Sequence, residues 1–178
     1  MNLASLALSK VQHVHVARFL SFRNKSIAYA VALDKLALAF GRVGDHKKQK
    51  EMLERALSIQ ERAYGPEHVR VAATLSNLGN AFGDLGDYLK QRELLERAYN
   101  LTKNEFGSGH IRLAHVCIGL AKAHGGLKDG LRQQEHAQVA YDIYKLSMGP
   151  EHLLVAYALL ELRNAQVRMG KASEAVYV

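Results

Sequence analysis

The sequence repeats itself every 42 positions, and this period constrains the fold more than any other feature of the chain. The segment Gly65-Pro66-Glu67-His68 returns in related form at 107–110 and again at 149–152. When residues 27–68 are laid over 69–110 without a gap, 17 of the 42 positions are identical. A fixed period of this length is typical of stacked supersecondary units, each too small to bury its own apolar face. The period therefore predicts one elongated array, a kind of protein that binds partners far more often than it catalyses reactions.

Each unit has the pattern of two helices joined by a tight turn. Apolar residues in 69–84 recur at steps of three and four, as on one face of an amphipathic helix. The run 83–87 supplies turn residues, and Gly107 stands where a left-handed C-terminal cap favours glycine. No segment has the period-2 alternation of a strand, so the prediction is all-α. The predicted helices lie near 27–42, 46–63, 69–84, 88–105, 111–126, 130–147 and 153–168.

These repeated residues resemble the tetratricopeptide repeat, in the long form found in kinesin light chains. The resemblance rests on Val71-Ala72-x-Thr74-Leu75-x-Asn77-Leu78-Gly79, on Leu85-Gly86-Asp87-Tyr88 and on Leu94-Leu95-x-x-Ala98. It implies an all-α, right-handed superhelix (α-solenoid) of tetratricopeptide-like helix-turn-helix repeats. The expected units are 27–68, 69–110, 111–152 and a partial fourth unit, 153–178.

The chain departs from the family pattern at two kinds of position. Gln49, Gln91 and Gln133 occupy a position of the second helix where the family has a small residue. In the third unit Lys128 replaces the turn glycine and Gly130 replaces the family's tyrosine, so we expect a looser hairpin there.

Residues 1–26 form a basic N-terminal segment. Residues 1–33 contain four basic residues and no acidic one. Acid-poor, basic N-termini are also a property of mitochondrial transit peptides, which leaves mitochondrial targeting as an alternative to a cytoplasmic location. We favour a degenerate helix at 9–22 that packs on the first unit, because Val11, Val14 and Phe22 lie 42 positions before Leu53, Ala56 and Tyr64.

The resemblance implies that the first helix of each unit lines a concave groove, whose solvent-facing residues would touch a peptide. Asn77 stands where an amide commonly bonds the ligand backbone, a role suited to a side chain with donors and an acceptor. By the same pattern Ile118 and Gly119 fall on this face. The candidate groove residues are Lys35, Ser76, Asn77, Asn80, His115, Lys122, Tyr157, Glu161 and Asn164.

Other kinds of site find little support. No nucleophile elbow, phosphate-binding loop or paired-acid motif is present, so we predict neither an enzyme nor a cofactor. His68, His110 and His152 recur once per unit, which places them in separate layers roughly 8–10 Å apart, too far to share a metal ion. We expect them to buttress the turn before each following helix. Cys117, the single cysteine, falls on a core position and excludes an internal disulfide.

Three functions remain open. The favoured one is a protein–protein interaction scaffold that binds a partner peptide or helix in its groove. The second is a non-binding spacer or oligomerisation segment of a longer multidomain sensor or scaffold protein. Separately, we expect the apolar C-terminal end either to self-associate or to be continued by further repeats of a longer array. The third, binding of nucleic acid or a membrane surface, follows from the net charge of +7 and the basic residues near the starts of the second helices. No aromatic residue lies among those bases, so we favour a solvated face.

Overall fold

The computed structural model describes residues 24–170, and within this range it contains seven α-helices and no strand. Helix α1 covers 24–42, whereas the sequence pattern predicts a helix over 27–42. A short 3₁₀ turn, Val69–Val71, precedes α3. The predicted helices are confirmed, with bounds that shift only slightly. The predictions at 1–23 and 171–178 lie outside the described residues. The remaining helices are α2 (His46–Tyr64), α3 (Ala72–Asp84), α4 (Tyr88–Phe106), α5 (Ile111–Gly126), α6 (Gly130–Met148) and α7 (Leu153–Arg168).

Aspartate fixes the start of the second helix in every complete repeat. Asp45, Asp87 and Asp129 are the N-cap residues of α2, α4 and α6. In each case one carboxylate oxygen accepts a hydrogen bond from the backbone N–H three residues later, at 3.0–3.1 Å. Such a cap satisfies one of the donors that a helix N-terminus leaves unpaired.

Histidine has the corresponding role before the first helix of the following repeat. The Nδ1 atoms of His68, His110 and His152 accept from the backbone N–H two residues later, at 3.1–3.2 Å. The rings of Tyr64 and Phe106 lie against the first two of these imidazoles. The prediction that the repeated histidines buttress these turns is confirmed.

The prediction of a looser third hairpin is wrong. Lys128 adopts a left-handed conformation, with φ of 63°, in place of the turn glycine. The backbone N–H of Asp129 still donates to the oxygen of His124 at 2.9 Å, as that of Asp87 does to Phe82 one repeat earlier. The strain of a non-glycine residue in this conformation is about 1–2 kcal/mol, and the packed hairpin tolerates it.

The buried core runs continuously from repeat to repeat. One cluster joins α1 to α5, with Leu53, Leu75 and Leu95 fully enclosed, and a second joins α5 to α7. Cys117 lies in the second cluster, where burial raises the pKa of its thiol to about 12. Within residues 24–170, no helix is long and apolar enough to cross a bilayer.

The unexpected glutamines are accommodated by glycines on the facing helix. A Cβ atom added at Gly83 would lie 2.3 Å from Oε1 of Gln91. The glycine on the facing helix therefore makes room for the glutamine side chain. In the family pattern, a small residue at the glutamine position makes this room unnecessary. The three pairs are Gly41 with Gln49, Gly83 with Gln91, and Gly125 with Gln133.

Candidate partner-binding groove

A cleft of about 330 Å³ lies between α3 and α5, with the end of α4 as its floor; we call it the α3–α5 cleft. Ser76, Asn77 and His115, three of the predicted groove residues, are brought together there. The walls are mainly apolar, with a few polar groups, as in many ligand sites. The lining residues are Val69, Ala72, Ala73, Ser76, Asn77, Thr102, Phe106, Arg112, His115 and Val116.

The equivalent space one repeat earlier is filled by a hydrogen-bonded network. Gln60 Nε2 donates to Asp34 Oδ2 at 2.7 Å, and the Thr74 hydroxyl lies within 3.1 Å of both partners. Burial raises the pKa of Asp34, although its hydrogen bonds to Thr74 and Gln60 act in the opposite direction. Asp34 therefore serves the packing of three helices rather than an open groove.

One repeat later, the same space is filled by apolar side chains. Ile118, Tyr144 and Ala158 pack in one buried cluster. The Tyr144 hydroxyl lies 2.8 Å from Nδ1 of His115. A buried tyrosine needs such a partner for its hydroxyl group.

Short side chains leave the middle space open. The repeat period relates the three layers residue by residue. In the middle layer, the counterparts of Asp34, Gln60 and Thr74 are Ser76, Thr102 and Val116. One repeat later, the counterparts are Ile118, Tyr144 and Ala158. None of the three side chains of the middle layer is as long as the glutamine or the tyrosine that occupies the position of Thr102 in the neighbouring repeats. Of the three equivalent layers within residues 24–170, the middle one therefore forms the cleft.

The rim of the α3–α5 cleft is basic. The Arg112 guanidinium lies 5.1 Å from the centre of the Phe106 ring, which forms part of the wall. Burial lowers the pKa of His115, so its imidazole is neutral at physiological pH. Arg112 is the charged group among the lining residues, and it favours a negatively charged ligand group nearby.

A second, more polar cleft of about 300 Å³ lies at the other end of the same helices. It holds Lys122, Glu161 and Asn164, which sequence had assigned to the same groove as Ser76. The Lys122 ammonium also lies 4.9 Å from the centre of the Tyr157 ring. Six of the nine candidate residues thus divide between two clefts instead of forming one continuous row.

Several predicted groove residues are not solvent-facing. Glu161 is only 7% exposed, and its Oε2 accepts from Nε2 of Gln133 at 3.0 Å. Ile118 and Gly119 are also buried, because Gly119 packs against Leu95 of α4. The expectation that these three face solvent is wrong. At these positions, the side of the helix that the family pattern assigns to a ligand packs against neighbouring helices instead.

The remaining three candidates line neither cleft. Lys35 is exposed on α1, one repeat before Asn77, and it lines neither cleft. Asn80 is exposed and approaches Gly119 across the α3–α5 contact. Tyr157 is exposed on α7, near Lys122.

Sequence reasoning missed the floor and one wall of the cleft. Thr102 and Phe106 come from a second helix, whereas the predicted groove residues all lie on first helices. One sequence feature indicates the cleft: Thr102 is smaller than its counterparts in the neighbouring repeats, Gln60 and Tyr144.

Five of the basic residues near the starts of the second helices have acidic partners. Lys50 pairs with Glu54, Lys90 with Glu93 and Arg92 with Glu96, all within one helical turn. Lys48 and Arg132 likewise contact the aspartates that cap their helices. This pattern is that of a solvated face with local charge balance. In the described part of the chain, no group of three or more potential ligands could hold a metal ion.

Comparison with known proteins identifies the repeat. A model of the tetratricopeptide repeat family matches residues 28–104. No curated protein sequence matches the chain.

Solved structures share the fold at low sequence identity. BtubC (BKLC) from P. vanneervenii is 21% identical, with a TM-score of 0.73 over 82% of this chain. The chain spans 58% of the length of that protein's structure. The nearly identical repeats of a putative kinesin light chain from Podosopora anserina are 21% identical, with a TM-score of 0.67 over 96% of this chain and 87% of that one. A second structure of those repeats, a point variant, gives a TM-score of 0.69, with 96% of this chain and 86% of that one covered.

Proposed function

We propose that this chain, which matches the tetratricopeptide repeat family over residues 28–104 and shares the fold of kinesin-light-chain-type repeats, is a protein–protein interaction scaffold. A partner peptide or helix lies along the first helices and places one apolar side chain in the α3–α5 cleft. The observation that carries the proposal is the open middle layer, since the equivalent layers on both sides are filled. Buried apolar anchors of this kind supply most of the affinity of many interfaces.

The chemistry of the cleft also supports a partner type. Its apolar walls suit a large aliphatic or aromatic side chain, and Arg112 favours an acidic residue beside that anchor. Asn77, at the edge, offers an amide to the partner's backbone. Lys35 and Lys122, exposed on neighbouring first helices, extend the positive charge in both directions.

The test fills the cleft with residues that the next repeat already uses. Ser76→Ile with Thr102→Tyr copies Ile118 and Tyr144, and the matched control places the same two residues on the exposed side of α4, as Asn100→Ile with Asn104→Tyr. Peptides are first selected from a displayed library of random short peptides on the unmodified chain.

We expect selected peptides to contain an apolar residue beside acidic ones, and to lose at least about tenfold in affinity for the filled variant, equivalent to about 1.4 kcal/mol. The control variant should keep full affinity. Equal binding to the filled variant and the unmodified chain would reject the α3–α5 cleft as the binding site. Failure to enrich any peptide would count against the groove as a whole.

A second candidate function is self-association through the C-terminal end, as part of a spacer or oligomerisation segment. Leu159 and Val167 are about half exposed on α7, although the counterpart of Leu159 one repeat earlier, Cys117, is fully buried. Arg163 is exposed where Ala121 is buried, so this face differs from the usual contact with a second helix. Light scattering tests this candidate. A mass that rises with concentration, and falls back to that of a monomer in Leu159→Glu, would support it, whereas a constant monomer mass would reject it.

The other functions receive less support. Acidic partners beside the bases of the second helices argue against a nucleic-acid or membrane surface. We propose no catalytic role, because the grouped polar residues serve as caps and packing contacts. A cytoplasmic location, with mitochondrial targeting as its alternative, stays a prediction from the sequence.

A further inference from the structure

Two buried glutamines line the second, more polar cleft, which we call the polar cleft. Gln91 and Gln133 are only 2% and 1% exposed. Their Nε2 atoms donate to the oxygen of Gly119 and to Glu161, respectively. The Oε1 atoms of both glutamines have no hydrogen-bond partner within residues 24–170. Buried polar groups are nearly always paired, so these two atoms indicate a donor that belongs in the cleft.

In the first repeat, the equivalent oxygen has a partner on its own helix. Nδ1 of His46 lies 3.1 Å from Oε1 of Gln49 and can donate to it. The counterparts of His46 in the next two repeats are Tyr88 and Gly130. Gly130 has no side chain, and the ring of Tyr88 instead packs over Gly126, where an added Cβ would overlap the ring. The two later repeats therefore lack the donor that the first repeat supplies.

The third buried polar group of the cleft is a carboxylate. Glu161 is nearly buried, and its Oε2 accepts a hydrogen bond from Gln133. The unpaired groups that line the cleft with it are amide oxygens, which also accept. A buried carboxylate is stabilised by a cation that also donates hydrogen bonds. A ligand group that fits this interior therefore carries positive charge and several donors.

The basic residues of the polar cleft lie at its opening. Lys122 and Arg168 are both exposed, and the Lys122 ammonium lies near the ring of Tyr157. Asp84, a second acid in the lining, is exposed as well. The exposed charges thus have both signs, whereas among the lining residues the buried charge is that of Glu161. The interior consequently favours a cation over an anion.

We propose that the polar cleft binds the guanidinium group of an arginine side chain that the partner peptide presents. A guanidinium is planar and always charged, and its N–H donors point in several directions, toward both Glu161 and the glutamine oxygens. The terminal torsion of a glutamine is broad, which lets Oε1 turn toward such a donor. The space of about 300 Å³ also exceeds the roughly 30 Å³ of one water molecule, so it accommodates the guanidinium with its methylene stem.

The inference rests on the proposed function for the partner, and it adds a second contact to that partner. Both clefts lie along α3 and α5. From His115 to Lys122 the α5 helix rises about 10 Å, a distance that an extended peptide covers in about three residues. We therefore place the arginine about three residues from the apolar side chain that occupies the α3–α5 cleft.

The test uses N-acetyl-arginine amide, a blocked arginine without a large apolar side chain for the α3–α5 cleft. The side-chain amide signals of Gln91 and Gln133 are followed by nuclear magnetic resonance as this probe is added to the full-length chain. Glu161→Gln removes the buried charge and keeps an acceptor for Gln133. Glu105→Gln, at an exposed position of α4, is the matched control. Far-ultraviolet circular dichroism verifies that each variant is folded.

We expect both amide signals to shift in a saturable manner, with a dissociation constant in the millimolar range for a ligand of this size. Glu161→Gln should bind the probe at least about tenfold more weakly, whereas Glu105→Gln should bind it unchanged. Blocked citrulline, which has a similar shape but no charge, should also bind at least about tenfold more weakly to the unmodified chain.

Three results would overturn the proposal. The first is the absence of a saturable shift up to about 50 mM blocked arginine. The second is equal binding of blocked arginine and blocked citrulline. The third is tighter binding of N-acetyl-aspartate amide at the same signals, which would assign the cleft to anions.

The filled variant of the α3–α5 cleft, Ser76→Ile with Thr102→Tyr, separates this inference from the proposed function. It should bind blocked arginine with unchanged affinity, because its substitutions lie in the other cleft. Saturable arginine binding without any selected peptide would support the polar cleft and count against the peptide groove. Selected peptides that bind equally well after their arginine is replaced by citrulline would support the groove and overturn the arginine site.

Discussion

At the scale of single residues, the third repeat differs from its neighbours by two stacked histidines in its core. His124 and His136 have ring centres 5.3 Å apart and nearly parallel planes, at positions held by Phe82 and Leu94 one repeat earlier. Burial is the main cause that lowers the pKa of both imidazoles. Asp129 lies 3.7 Å from Nδ1 of His124 and offsets this effect in part.

This pair should make the array less stable in mild acid. Because both pKa values are lowered on folding, the unfolded chain binds more protons, so stability is complete above the unfolded value of about 6.5 and is lost as pH falls through the folded values. We expect the urea midpoint to fall between about pH 7.5 and pH 5. His124→Phe with His136→Leu, which installs the residues of the second repeat, should reduce this fall. The same pH dependence in the double variant would show that other groups, such as His115, cause it.

The left-handed lysine of the third hairpin gives a second prediction at this scale. Lys128→Gly should stabilise the chain by about 1 kcal/mol, because glycine adopts a positive φ without steric cost. The reciprocal change, Gly86→Lys, at a φ of 87°, should destabilise it by a similar amount. Chemical denaturation measures both. A loss of stability in Lys128→Gly would mean that the lysine side chain contributes more than the strain costs.

At the scale of helices, paired glycine and glutamine set the spacing within each hairpin. Gln91 is almost fully buried over Gly83, and its Nε2 donates to the oxygen of Gly119 at 3.4 Å. In the fourth unit the register places Val167 and Ala175 at these two positions, so the larger side chain moves to the first helix. The two positions therefore vary together along the sequence of a single chain.

We expect Gly83→Ala to destabilise the chain by about 1–3 kcal/mol, because the added methyl group overlaps the buried amide of Gln91. Combining it with Gln91→Ala should recover part of this loss. A double-mutant cycle measures the coupling between the two positions. Additive effects would show that the amide moves aside without cost.

Sequence was sufficient for the helices but not for the open layer. Turn residues, a glycine cap and apolar periodicity are local signals, and they predicted each helix within a few residues. The α3–α5 cleft depends on Ser76, Thr102 and Val116 from three different helices, and none of these residues alone signals a cavity. Glu161 was misplaced for a similar reason, since its burial depends on Gln133 from the preceding helix.

At the scale of the whole molecule, the distribution of charge predicts weak binding to nucleic acid. The net charge is +7, and residues 1–23 contribute three of these charges through Lys10, Arg18 and Arg23. On the second helices the bases lie beside acids. In fluorescence anisotropy at about 0.15 M salt, a labelled single-stranded oligonucleotide should bind more weakly than the roughly 1–100 μM of non-specific binders. Tight binding that weakens steeply with salt would contradict this prediction.

The three equivalent layers imply that very few side chains decide which layer of the array is open. Each layer takes one residue from each of three consecutive helices, and one layer has been left unfilled. Exchanging the side chains of two layers would close this site and open another one repeat further along the chain, with the backbone unchanged. Under the proposed function, selection can therefore move the contact point from one repeat to another without building a new fold.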